Sequence, residues 1–207
     1  MPNERRAVTR LDPAVRRNQI LEAAARVFEQ RDPGEVPFEE IADAAGVSRA
    51  LVYNYFGDRG GLLAAVYLHH FGALDRALTL AADSTAAPAD RFRAIVHRYL
   101  EFAAEHPGAW RLLQLTRAID HPSVRESRQR RMARMAASWG GTTEAGVVAH
   151  AVVGMLEAAT VEWLHAGEGD AEPLADVLFD LLWGGMSSLA QHGINVPPTR
   201  PDSPVRR

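Results

Sequence analysis

Apolar residues recur at every third or fourth position along nearly the whole chain, and no stretch alternates convincingly enough to read as a strand. Ile20, Ala23, Ala24, Val27 and Phe28 stand at the i, i+3, i+4, i+7 and i+8 positions of one buried helix face. The same spacing returns in Phe38, Ile41, Ala42 and Ala45. It returns again in Leu62, Leu63, Val66, Tyr67 and Phe71, in a helix that continues to about Ala82. Further runs are Phe92 to Ala103, Trp110 to Ile119, and Leu174 to Leu189. Stop signals fall between them: Asp32-Pro33-Gly34, Gly46, the glycine-rich 57–61, "STAAPAD" at 84–90, His106-Pro107-Gly108 and Gly140-Gly141. The fold class is therefore all-α.

Composition removes several function classes. There is no cysteine, so disulfides, thiolate zinc sites and cysteine nucleophiles are excluded. The formal net charge of −3 argues against a general polyanion binder. Every basic residue is arginine, and Arg5, Arg6, Arg10, Arg16 and Arg17 make the N-terminal arm locally positive. Residues 1–12 and 193–207 read as flexible tails, the second being proline-rich. "MPNERRAVTRLD" lacks the apolar core of a secretory signal, so the expected location is cytoplasmic. Residues 147–164 carry only Glu157 and Glu162 as charges, yet two carboxylates in a stretch this short suit a buried or interface helix better than a membrane span.

"GVSRALVYNYF", residues 46–56, holds the chemistry. Two short helices joined by Ala45-Gly46-Val47-Ser48 fit a helix-turn-helix spanning about 37–56. Gly46 suits a left-handed turn, and the Ser48 hydroxyl can cap the helix that follows. Val52 and Phe56, four apart, face inward with Ile41 and Ala42. Arg49 and Tyr53 share another face, beside Ala50 and Asn54. Arg49 can bond guanine in bidentate fashion, Ala50 permits close approach, and the Tyr53, Asn54 and Tyr55 tips can reach phosphates. The plainer reading makes both tyrosines surface residues of a helical bundle.

These residues carry a family resemblance. "IADAAGVSRALVYNYFGDRGGLLAAV", preceded by "ILEAAARVFEQRDPGEV", resembles the DNA-binding domain of the TetR (tetracycline repressor) family over residues 13 to about 70. The resemblance implies that Ser48, Arg49, Ala50, Tyr53, Asn54 and Tyr55 contact operator DNA. It puts Arg59 where the family usually has a phosphate-binding lysine. One departure is "VPFEE", which lacks the hydroxyl that commonly caps the second helix and touches a phosphate. The implied organisation is a DNA-binding domain over 13–74 and a helical ligand-binding and dimerisation domain over 75–192.

Outside the resemblance, helices of about 144–165 and 171–190 are long and apolar enough to form a homodimer interface, with Ala151, Gly154, Ala158 and Ala159 allowing close approach. The alternative is that 147–164 is the central helix of one subunit. A largely apolar small-molecule inducer is the implied ligand, and His97, Tyr99, Trp110, Leu113, Arg117, Met155 and Trp163 are the candidate lining. His150 and Glu157 share a face and form a polar patch in the pocket or an interface pair. The five arginines of 125–134 read as a solvated helix face, the alternative being a site for an anionic inducer or nucleic acid. Catalysis and metal binding find no support: Glu162-x-x-His165 lacks the second such pair that a di-metal site needs, and His69-His70 are adjacent. No cofactor is expected. The chain reads as a dimeric repressor of a palindromic operator, and the competing class is a helical partner-binding module with a secondary DNA-binding head.

Overall fold

The structure, a computed structural model, describes residues 12–82, 87–110, 112, 121–167 and 169–192. Residues 1–11 and 193–207 of the expected tails, Leu113, Arg117 and most of the helix expected from Trp110 to Ile119 lie outside the described residues, whereas Asp12 belongs to the start of α1. Among the described residues the regular elements are all helical: α1 (Pro13–Gln30), α2 (Phe38–Ala45), α3 (Arg49–Phe56), α4 (Arg59–Ala82), α5 (Pro88–Glu105), α6 (Pro122–Ser138), α7 (Thr143–Ala166) and α8 (Ala171–Gln191). The chain divides into two compact units at Val66/Tyr67, within α4.

In the smaller unit α1 packs on α2, and α2 on α3. Ile20, Ala24, Phe28, Ile41, Val52 and Leu62 are essentially inaccessible to water and form its centre. Local chemistry sets each boundary. Asp12 accepts the Ala14 N–H at 2.8 Å to start α1, with Pro13 at the first helical position. Gly46 ends α2 at φ 64°, and the Val47 N–H donates to the Ala42 carbonyl at 2.9 Å. Gln19 Nε2 donates to the Ala45 carbonyl at 2.7 Å, tying α1 to the end of α2.

The start of α4 corrects the sequence reading, in which Gly57 to Gly61 separated two helices. The helix already begins at Arg59, because Asp58 Oδ1 accepts the Gly61 N–H at 2.8 Å. Gly61 allows this sharp junction: a β-carbon there would lie 2.1 Å from the Phe56 carbonyl oxygen.

In the larger unit the main packing is α5 against α8, with α6 against α7 and α5 against α7. Phe92 on α5 meets Phe179 and Trp183 on α8 at ring separations of 6.1 and 6.0 Å. Asp176 on α8 is paired with Arg93 and with His97 on α5. Asp170 stands at the start of α8 but its side chain makes no capping hydrogen bond. Helix α7 is long and apolar enough to cross a membrane by length and composition. Here Ala145, Ala149, Val152, Leu156 and Thr160 form its buried stripe.

Candidate functional site

Helix α3 presents one face to its own core and another to solvent. Val52 and Phe56 are buried, whereas Ser48, Arg49, Ala50, Tyr53 and Asn54 are exposed and Tyr55 is half-buried. Ser48 Oγ accepts the Leu51 N–H at 3.3 Å and fixes the start of the helix. The Tyr53 ring leans on Phe38 of α2 with centroids 4.5 Å apart, leaving its hydroxyl outward. Arg49 Nη2 donates to that hydroxyl at 3.3 Å, and the same guanidinium is ion-paired with Glu39 of α2. The bond to Tyr53, and after it the Glu39 charge, hold the Arg49 proton more firmly than usual. The structure thus brings together the exposed residues expected on α3.

Arg59 is placed differently from expectation. Its Nη1 donates to the carbonyls of Pro33 and Gly34 at 2.7 and 2.5 Å, and its Nη2 to that of Val36 at 2.6 Å. The side chain therefore clamps the α1–α2 loop. A guanidinium has five N–H donors, so part of the fork remains for another acceptor. The three carbonyls belong to residues more than twenty positions upstream, and no local pattern announces them.

The larger unit contains an open cavity of about 430 Å³ lined by residues of α4, α5, α6 and α7. Its apolar wall includes Phe71, Leu74, Leu78, Phe92, Ile95 and Leu156, and Asp75, Arg131 and Arg134 supply polar groups. Asp75 faces Arg131 at 3.3 Å and Arg134 at 3.7 Å.

Of the candidate ligand residues that are described, Tyr99 alone lines this cavity. Trp110 packs against Tyr99 with ring centroids 5.2 Å apart and against Phe71 at 6.0 Å. The other described candidates lie away from this cavity. Met155 is 37% exposed on the outer face of α7, because its neighbour Leu156 takes the inward position. Trp163 Nε1 donates to the Gly169 carbonyl at 3.2 Å, beyond the helix end. His97 faces Asp176 at 3.1 Å and lines a separate acidic cleft with Glu101 and Asp170. Sequence reasoning missed Phe71, Leu74, Asp75 and Leu78, although their spacing on α4 was a usable signal. The arginine run is also corrected in part: Arg128 and Arg131 are half-buried, lying over the Tyr67 and Phe71 rings at 5.3 and 4.7 Å.

Comparison with known proteins places these features in context. Residues 20–66 match the model of the bacterial regulatory proteins of the tetR family. A curated HTH-type transcriptional regulator of Mycobacterium tuberculosis is 36% identical over 95 residues, which cover 45% of this chain and 47% of that protein. The chain thus spans about half the length of the curated relatives it matches. A solved TetR-like transcriptional regulator from Rhodococcus sp. RHA1 is 31% identical with a TM-score of 0.64, covering 86% of this chain and 99% of that one. AibR, solved in complex with isovaleryl coenzyme A and operator DNA, shares the fold at 18% identity and a TM-score of 0.59, with 80% of this chain and 97% of that one covered.

Proposed function

The chain belongs to the TetR family of bacterial regulatory proteins, and we propose that it acts as a dimeric, ligand-responsive repressor of a palindromic operator. The observation that carries this reading is the outer face of α3, where Arg49, Ala50, Tyr53 and Asn54 stand free of the core that Val52 and Phe56 anchor. A helix of this kind enters the major groove by its N-terminal residues. Arg49 then reads a guanine edge, Ala50 lets the backbone approach, and Ser48, Tyr53, Asn54 and Tyr55 brace the helix on the sugar-phosphate walls. Arg59 holds the α1–α2 loop and offers its remaining donors to a phosphate.

Dimerisation supplies the second reading helix, about 34–36 Å away along the DNA for half-sites one turn apart. Val147 on α7 and Val177 and Leu181 on α8 are 64%, 62% and 58% exposed, which suits a face awaiting a second subunit. The cavity of the larger unit takes the inducer. An inducer that favours a conformation unfit for DNA weakens operator binding by linkage. The fold neighbour AibR, which holds both a small ligand and operator DNA, supports this division of labour. The reading needs no catalytic group or cofactor, and it places the protein in the cytoplasm with the bacterial DNA.

Selection of tight-binding duplexes from a random pool tests the proposal, run at about physiological salt because phosphate-driven affinity depends steeply on ionic strength. The expected outcome is a palindromic consensus that Arg49→Ala relaxes at one position of each half-site. Enrichment of no sequence, with Arg49→Ala indistinguishable from the parent, would refute the reader and favour a partner-binding module.

A further inference from the structure

A second cavity, of about 340 Å³, opens between α6 and α7 and shares Arg131, Val153 and Glu157 with the first. Arg125, Arg128 and Gln129 of α6 and His150 of α7 line the rest of its wall that matters here. Both spaces have largely apolar walls, and the smaller one adds the guanidinium of Arg128 to that of Arg131, which the two share.

Among the described residues of this wall, Arg128 and Arg131 each have a buried guanidinium nitrogen without a hydrogen bond, and of the two only Arg131 has Asp75 close to that nitrogen, at 3.3 Å. The Arg128 guanidinium carbon lies 5.3 Å from the Tyr67 ring centroid, and its Nε donates to the Tyr67 hydroxyl at 3.0 Å. Nη2 is buried without a hydrogen-bond partner. Asp75, the acidic residue of the neighbouring wall, is engaged by Arg131 and Arg134 instead. A charged N–H that is shielded from water and left without an acceptor is costly to maintain. An oxyanion supplies the missing partner through a short, charge-assisted bond. A purely structural role, stacking on Tyr67, accounts for Nε and leaves Nη2 unsatisfied.

We infer that the larger unit binds an amphiphile with a single anionic head, a carboxylate or a phosphate monoester, seated on Arg128, with its apolar body in the cavity beneath Phe71 and Phe92. The inference rests on reading this unit as the ligand-binding part of the regulator. His150, Val153 and Glu157 lie on a different stripe of α7 from exposed Val147, Ala151 and Met155, so the site remains compatible with a second subunit on the outer face.

The test is calorimetric binding of four ten-carbon probes to the full chain at fixed ionic strength: decanoate, decyl phosphate, decanol and decyltrimethylammonium. At least one anion is expected to bind about tenfold tighter than decanol, and the better anion identifies the head. In Arg128→Gln that preference disappears while decanol binding stays within about twofold of the parent; Tyr67→Phe, which keeps the charge, retains it. Decanol or the cation binding as tightly as both anions overturns the inference, as does binding of none of the probes or an anion preference that survives Arg128→Gln. If Arg128→Gln fails to fold, the ranking of the probes on the parent protein decides. Operator release is measured separately: an Arg128-dependent anion preference with no effect on DNA affinity upholds this site and refutes the inducer reading.

Discussion

The guanidinium of Arg49, foremost on the exposed face of α3, is ion-paired with the carboxylate of Glu39 on α2. The residue proposed to read a base is thus held by an internal acid in the free protein. Both side chains are about half exposed, so water screens the pair. On the proposed reading, docking on DNA would exchange that carboxylate for a guanine edge and bring Glu39 towards the phosphates. Glu39→Gln is expected to tighten binding to the selected operator by roughly two- to fivefold, the range for losing a weak competing pair. The gain falls as salt rises. Titration of labelled operator at two ionic strengths checks this; unchanged or weaker binding would sink the idea.

Arg59 closes the α1–α2 loop through three carbonyls, and alanine leaves those acceptors to weaker partners. Arg59→Ala is expected to destabilise the protein by about 2 kcal/mol, the scale of charged hydrogen bonds lost from a partly buried site. Arg59→Lys recovers less than half, because an ammonium cannot span the loop as a planar fork does. Denaturant unfolding of both variants gives the measurement. Equal stability of the lysine variant and the parent would reduce the clamp to a charge effect.

Acid should weaken the fold through His70. Burial, and then the neighbouring His69 and His106, push this imidazole down to about 4. In the unfolded chain it takes up its proton near pH 6.5, so between these values the unfolded state binds more protons. Stability from this group is complete above about pH 6.5, declines as pH falls towards 4, and changes no further below. The loss amounts to at most about 3 kcal/mol. In His70→Leu the slope between pH 6.5 and 4.5 should flatten; an unaltered slope would assign the acid sensitivity to other groups.

Leu181 and Val177 stand four apart on α8, both outward and both more than half exposed. A charge there costs little in a lone subunit and much inside a subunit interface. Leu181→Glu is expected to convert a dimer of the parent protein into monomer at micromolar concentration, with helical content unchanged. Light scattering coupled to gel filtration reads this directly. A variant that stays dimeric places the interface elsewhere.

Most of the described helices were legible in the sequence because their causes are local; α6, with little apolar periodicity, was the least so. Periodic apolar residues from Ile20 to Phe28 make the buried stripe of α1, Gly46 permits the φ of 64° that ends α2, and Ser48 caps α3 through an N–H three residues on. The division of α3 into a buried Val52–Phe56 face and an exposed Arg49–Tyr53 face follows from 3.6 residues per turn and was equally readable. Boundaries where glycine crowds were less so, since the start of α4 at Arg59 depends on the Asp58 carboxylate and on room beside the Phe56 carbonyl.

Tertiary structure alone decided which long side chains meet. Arg49 finds Glu39, Arg59 finds the carbonyls of a preceding loop, and Arg128 finds Tyr67 on a helix far upstream. It also decided which members of an apolar helix face the cavity, seating Leu156 inward and leaving Met155 outside. Backbone conformation is set by neighbours within a few residues, so a sequence displays it. Contacts between distant segments depend on helix phase and packing, and one position along a helix turns a side chain through about 100°.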